Sequence, residues 1–254
     1  MIKHIWSYGG GTQSAAIAAL IIQGKIDKPD LAVISDTGRE VSTTWTYLDN
    51  IVQPALNEAG VEIHRLPHSF DGKGYNYVDL WGGKNKDTLL IPAFTNISGK
   101  PGLFRGYCSG EWKRDPVKRF ARERGIKRAD ILIGFSIDEM ERMRTYDKDK
   151  PWNHVYPLYD LKMSRGDCIA LVESMGWGTP PRSACWMCPY RSDHEWRDIL
   201  GTPDFDDAVA FEKEIQKKDP HAFLHRQCIP IDTVDFSAEP DLFAKPCDSG
   251  MCFT

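Results

Sequence analysis

The sequence lacks any apolar run near the roughly 18 to 20 residues that a membrane-spanning helix needs. Its longest, Ala15 to Ile22, is far shorter, so no helical span is expected. No signal-peptide profile precedes the first strand-like segment, because Met1-Ile2-Lys3-His4 runs directly into it, and the expectation is a cytoplasmic protein. An excess of positive charge is also missing. The formal net charge is −4, which excludes wholesale nucleic-acid coating but leaves room for a local basic face. Internal repeats and low-complexity runs are absent. Seven cysteines, an odd number without a secretory context, exclude a disulfide framework as the first reading and point to thiols or metal ligands. With 254 residues, 41% of them hydrophobic, the chain is long enough to bury a real core.

What is present begins with Ser7-Tyr8-Gly9-Gly10-Gly11-Thr12-Gln13-Ser14, between a short apolar run from His4 to Ser7 and a helix-like run from Ser14 to Gln23. A strand turning through glycines into a helix presents free N–H groups where the helix dipole favours negative charge. That is an anion cradle, although such a turn alone serves equally as an ordinary tight connection. Leu31 to Ser35 reads as a buried parallel strand ending at Asp36-Thr37-Gly38-Arg39-Glu40. Trp45, Leu48, Ile51, Val52 and Leu56 then recur at helical spacing across Ser42 to Asn57, with Pro54 as a kink or break. Val61 to Leu66 alternates as a third strand. Alternating strands and helices imply parallel crossovers with ligands outside the carboxyl ends of the strands.

From Pro67 to Tyr107 the periodicity dissolves, apart from the apolar run Leu89 to Phe94. A loop of that length is usually functional or a lid. Gly110 to Arg128 predicts a basic helix, with Arg114, Lys118 and Arg122 on one face and Val117, Phe120 and Ala121 on another. The basic face is either solvated or in contact with phosphate or nucleic acid. Asp130 to Ser136 predicts another buried strand, followed by an edge loop carrying Asp138, Glu139 and Arg142. Tyr156 to Tyr159 reads as a short extended segment, Ser164 to Met175 as a helix, and Asp193 to Lys218 as a helical stretch.

Cys185 and Cys188 form a Cys-x-x-Cys, which in a reducing compartment indicates a metal or cluster site or a redox pair. Cys108 is the first candidate for a third metal ligand. Three thiolates on a 4Fe-4S cluster leave one iron open to sulfide or substrate. Zinc is the alternative, closed by Cys252, His194 or another tail residue. Cys247 and Cys252, close to the C-terminus, are candidate catalytic thiols, as nucleophile or sulfur carrier. Cys168 sits on the apolar face of a helix and is expected to pack.

Taken together these residues resemble the phosphoadenosine phosphosulfate (PAPS) reductase family of the PP-loop, or adenine nucleotide α-hydrolase-like, superfamily, in the form found in phages and mobile elements. The likeness is carried by Ser7 to Ser14, by Asp36-Thr37-Gly38, by Cys108 with Trp112, Lys113 and Pro116, by Ile133-Gly134 with Asp138, Glu139 and Arg142, by Tyr156-Pro157-Leu158, and by Cys185-x-x-Cys188-Pro189-Tyr190. The resemblance implies an α/β fold with a Rossmann-like parallel sheet and a cysteine-containing C-terminal extension. It implies a nucleotide-binding domain over 1–160 and a Cys-x-x-Cys region over 161–254. Nucleotide and phosphate contacts are expected from Ser7, Gly9, Gly10, Gly11, Thr12, Gln13, Ser14, Asp36, Thr37, Gly38, Lys113, Asp138 and Arg142, and metal ligation from Cys108, Cys185 and Cys188. Gln13 stands where the family pattern has Asp and cannot supply a carboxylate to magnesium.

Three functions follow from these expectations. The first is a PAPS reductase-like enzyme of sulfur metabolism that binds an adenine nucleotide and reduces or transfers sulfur through a thiol and an iron–sulfur cluster. The second is an ATP pyrophosphatase that adenylylates and thiolates a nucleic-acid substrate, and the third a non-catalytic nucleotide or cluster sensor. The partners are ATP or a sulfated adenine nucleotide, with magnesium, and a thiol reductant or sulfur donor. A nucleic acid is the further candidate, a homodimer is compatible, and no membrane partner is expected.

Overall fold

The computed structural model describes residues 2–68, 80–82 and 88–237. The chain forms two compact units, one of residues 1–77 and 112–183, the other of residues 78–111 and 184–254. The segment 161–183 belongs with the sheet, and an excursion after the third strand belongs with the C-terminal region.

In the first unit, β1 (Lys3–Ser7), β2 (Leu31–Ser35), β3 (Ile63–Leu66), β8 (Ala129–Leu132) and β9 (Trp152–Val155) form one sheet in the order β3-β2-β1-β8-β9. Every neighbouring pair is parallel, with Ile5 opposite Leu31 on one side and Ile131 on the other. The apolar runs at β1, β2 and β8 explain their central placement, since a parallel strand is buried on both faces. β9, the sequence Trp-Asn-His-Val, has no such run, and it forms the edge strand that sequence patterning misses.

α1 (Thr12–Ile22) is buried on nearly all sides. It shares an apolar cluster with Trp6, Tyr8, Ala32, Ile34, Leu56, Leu132, Cys168 and Val172 on one face of the sheet. On the other face, α4 (Asp115–Glu123) sets Val117, Phe120 and Ala121 against Ile5, Leu31, Val33, Leu66 and Ala129. Helices on both faces of a parallel sheet give the expected Rossmann-like α/β architecture.

Local differences from the sequence expectations have physical causes. The helix expected over Ser42 to Asn57 runs as α2 (Ser42–Tyr47), a π-helical stretch Leu48–Val52, and α3 (Gln53–Glu58). The missing N–H of Pro54 is taken up by the wider turn before it rather than by a break. Tyr156 to Tyr159 is not extended. Pro157 starts the short helix α5 (Pro157–Asp160), where its fixed φ suits a first helical position. α6 spans Arg165–Ser174, its start held by Ser164 and Asp167 in a capping box.

In the second unit, β4 (Trp81–Gly82) pairs with β5 (Thr88–Leu89), and β6 (Ala93–Thr95) with β7 (Gly102–Phe104), both antiparallel. The stretch from Pro67 to Tyr107, expected as a long loop, thus contains two antiparallel strand pairs among its described residues. Asp193 to Lys218 is two helices, α7 (Asp193–Arg197) and α8 (Pro203–Lys218). They are separated at Gly201, whose φ of +71° is left-handed. From α8 the buried Glu212 carboxylate accepts the backbone N–H groups of Leu224 (2.8 Å) and Ile231 (2.6 Å). Among the described residues, no helix is long and apolar enough to cross a membrane.

Candidate functional site

The strand order reverses at β1. β2 and β3 lie to one side of it, and β8 and β9, later in the chain, to the other. The crevice above such a switch point, at the carboxyl ends of the strands, is where open α/β sheets take ligands. Ser7 to Ser14 leaves β1 at that point, and Ile133 to Ser136 leaves β8 beside it. The two loops touch: a methyl on Gly134 would stand 3.3 Å from the Gln13 carbonyl carbon, the Gln13 Cβ and the Ser14 nitrogen. A glycine at 134 leaves room for this close approach, which any side chain there would tighten.

Gly11 caps α1 in an extended conformation with no side-chain hydrogen bond, and the first turn of α1 contains no acidic residue. The helix end therefore carries no side-chain cap and no acidic residue to offset its dipole. Gly10 has φ +81°, and a Cβ there would lie 2.6 Å from Thr44 Cγ2 and 3.0 Å from Ser183 Oγ. Ser14 turns inward, its Oγ accepting the Gly9 N–H at 2.8 Å. Ser14 and Thr12 are buried while Ser7, Gly9, Gly11 and Gln13 are half-buried. Among the described residues, Tyr8 OH, Tyr47 OH, Thr44 Oγ1 and Trp6 Nε1 are buried without a hydrogen-bond partner. Burial drives the Tyr8 hydroxyl well above the usual phenol range and pushes Tyr47 up to about 12, so both are neutral.

The loop is tied across the switch point by side chains. Gln13 Nε2 donates to Glu139 Oε2 at 2.9 Å. Glu139 is ion-paired with the buried Arg142, whose guanidinium lies 4.1 Å from the centre of the Phe135 ring. Burial raises the Glu139 carboxyl and Arg142 opposes that rise. Glu139 also closes a capping box with Ser136 at the 3₁₀ turn Ile137–Arg142. Asp138 accepts from Ser136 Oγ (3.1 Å) and the Arg165 N–H (2.6 Å). It joins that turn to the start of α6.

At the end of β2, Asp36 Oδ1 accepts the Gly38 N–H at 2.7 Å, and the φ of +67° at Gly38 makes the tight turn possible. Burial raises the Asp36 carboxyl, and the Gly38 N–H opposes it. Thr37 is fully buried and accepts the Arg39 N–H. Lys113 pairs with Glu40 at 2.8 Å, with only 14% and 3% of the two side chains exposed. The Lys113 carbonyl accepts from Ser35 Oγ at 3.0 Å, and Ser183 Oγ reaches Glu40 at 3.4 Å. Arg39 lies 4.7 Å from the Trp112 ring centre.

In the first unit the residues expected to contact a nucleotide lie on the loops that follow β1, β2 and β8, with Lys113 beside them. Glu40, Thr44, Glu139 and Ser183 pack against these residues. Glu139 stands in the likeness-bearing motif, and Glu40 in the Asp36 edge loop. Thr44 and Ser183 carry no sequence signal, because their nearness to Gly10 exists only in the fold.

Cys108, Cys185 and Cys188 all fall in the second unit. Cys185 and Cys188 share a turn, the Cys188 N–H donating to the Cys185 carbonyl at 3.0 Å. Among the described residues, however, no group of three or more Cys, His, Asp and Glu is placed to hold a metal ion. The expected three-thiolate ligand set is thus not assembled. Cys168 is buried, as expected, with its thiol pushed up to about 12 by burial. Cys228, unassigned from sequence, is buried at a left-handed φ of +53°. Cys247 and Cys252 lie outside the described residues.

No protein-family model and no curated protein sequence matches the chain. Among solved structures it is similar to a phosphoadenylyl-sulfate (PAPS) reductase from Candida auris, in a phosphate complex. The identity is 13% and the TM-score 0.44, over 71% of this chain and 75% of that one. It is also similar to the U34-tRNA thiolase NcsA from Methanococcus maripaludis with its [4Fe-4S] cluster, at 16% identity and a TM-score of 0.45, over 86% of this chain and 67% of that one.

Proposed function

We propose that the chain is an enzyme of sulfur metabolism that binds an adenine nucleotide at the carboxyl edge of its parallel sheet, the phosphate or sulfate end lying in Gly9 to Ser14. The observation that carries this reading is the open, acid-free N-terminus of α1 at the switch point, with the Gly134 backbone packed against Gln13 and Ser14. Asp36 and Thr37 lie at the adenosine end, and Lys113, oriented by Glu40, adds positive charge at the edge.

The favoured reaction is reduction of a sulfated adenine nucleotide. A thiolate of Cys252 or Cys247 attacks the sulfate sulfur, the S–O bond to the nucleotide breaks, and the adenosine phosphate leaves with that electron pair. A second thiol, from an external reductant or the other tail cysteine, then attacks the bound thiol sulfur. A disulfide forms, and sulfite departs carrying the two electrons that the thiols lost.

A 4Fe-4S cluster or zinc ion on Cys108, Cys185 and Cys188 needs three thiolates brought together. The described residues do not meet that condition, so no step is routed through a metal. The test is sulfite release from adenylyl sulfate and from PAPS under reductant, comparing the parent with Cys252→Ser and Cys247→Ser. Loss of release in one of the two variants supports the reading; release unchanged in both, or absent from the parent, contradicts it.

A further inference from the structure

α4 carries Arg114 just before its first residue, then Lys118 and Arg122, at i, i+4 and i+8. Two other elements of the same unit bring a positive group, Arg144, and a neutral imidazole, His154, to this row. Arg144 follows the 3₁₀ turn, and its N–H is fixed by Tyr156 OH at 2.7 Å. His154 projects from β9, its ring 6.4 Å from that of Tyr156. Arg122 is held 5.4 Å from the centre of the Trp152 ring, also on β9. Among the described residues, the Asp115 carboxylate faces the group, 3.1 Å from Arg114 Nε and 3.9 Å from Lys118 Nζ.

Like charges at i, i+4 destabilise a helix, and here Arg144 reinforces them. Burial lowers the Lys118 ammonium, and Arg114, Arg122 and Arg144 lower it further. His154 falls to about 4 through burial and then through Arg144, Lys118 and Arg114. Residues 112–155 hold twelve Lys and Arg against eight Asp and Glu, in a chain whose net charge is −4. Positive charge is thus concentrated here against the balance of the molecule.

We infer that Arg114, Lys118, Arg122 and Arg144, beside His154, form a docking surface for the phosphodiester backbone of a nucleic acid. From Arg114 to Arg122 the row is about 12 Å long at 1.5 Å per residue. One phosphate ion cannot meet both ends of it, whereas a strand with a charge every few ångströms can. The contacts are to the backbone and so position a strand without reading its bases. The surface stands whether or not the nucleotide site turns over a sulfonucleotide, so the two can fail separately.

The experiment is fluorescence anisotropy of the full chain with labelled twelve-nucleotide oligo(U) and oligo(dT), from 50 to 200 mM salt. Four phosphate contacts give a slope of about −3 in log affinity against log salt, and hence roughly 50-fold weakening across that range. Lys118→Gln with Arg144→Gln should lower the slope magnitude by about 1.4, while the melting temperature holds or rises because repulsion is relieved. Binding should also raise the His154 pKa, read from its ring-proton NMR shift, in the parent and in Arg122→Gln. Binding of either oligonucleotide supports the surface, and a preference between them reports contact with the sugar. The inference is overturned if neither binds at 50 mM salt, or if the double variant binds with the parent's affinity and slope.

Discussion

Replacing Gly10 by alanine tests the geometry of the loop with a magnitude that can be separated into parts. A non-glycine residue at a φ of +81° costs about 1–2 kcal/mol in backbone strain. The added methyl also meets Thr44 Cγ2 at 2.6 Å and Ser183 Oγ at 3.0 Å, an overpacking that costs roughly 1–3 kcal/mol. Gly24→Ala is the internal reference, since Gly24 has φ +69° with nothing within 4 Å of the new Cβ. It should show the strain alone. Thr44→Ser separates the steric part. In the parent it removes a buried methyl and should destabilise by about 0.8 kcal/mol; in Gly10→Ala it removes the clashing atom and should stabilise. The assay is urea unfolding followed by tryptophan fluorescence, with the five proteins compared at equal slope. The reasoning is refuted if Gly10→Ala costs no more than Gly24→Ala, or if Thr44→Ser destabilises both backgrounds equally.

Tyr8→Phe removes a buried hydroxyl that has no partner. It should leave stability unchanged or raise it by about 1 kcal/mol, and a melting temperature lowered by several degrees would show that the hydroxyl is in fact satisfied. Lys113→Met breaks a nearly buried ion pair with Glu40 and should cost about 3 kcal/mol or more, part of which Lys113→Met with Glu40→Gln recovers. No recovery in denaturant unfolding would count against that pairing. His154 is held neutral, near 4 against an ordinary 6.5, so between these values the unfolded chain binds the extra proton. Its contribution makes stability fall as pH drops from about 6.5 towards 4, and His154→Phe should flatten the pH profile of unfolding in that window; an unchanged profile rejects the assignment.

The central strands were legible because parallel strands buried on both faces are written as apolar runs, as in Leu31 to Ser35. β9 was not, since an edge strand needs no such run and Asn153 and His154 interrupt it. α5 read as extended because Pro157 and two aromatics suggest a loop, whereas proline is acceptable at a first helical position. The turns after β1 and β2 are legible because their backbone conformations demand glycine, at Gly10 (φ +81°) and Gly38 (φ +67°). What joins the loop to its surroundings was less so. Gln13 with Glu139, Glu40 with Lys113, and Gly10 with Thr44 and Ser183 are pairings between distant segments. Local pattern carries no record of them. The grouping of residues 78–111 with those after 183 is likewise a matter of segments distant in the chain.

The most direct measurement of the central claim is a titration of the protein with ATP, PAPS and adenosine, following the backbone amide resonances of Gly9 to Ser14, in the parent and in Gly134→Ala. A methyl at 134 presses on Gln13 and Ser14 from 3.3 Å, so the loop backbone has to give by a few tenths of an ångström. The account predicts that both nucleotides shift the Gly10 and Gly11 amides while adenosine does not, and that Gly134→Ala weakens nucleotide binding at least tenfold. Nucleotide binding with those amides unmoved, or with full affinity in Gly134→Ala, would contradict it.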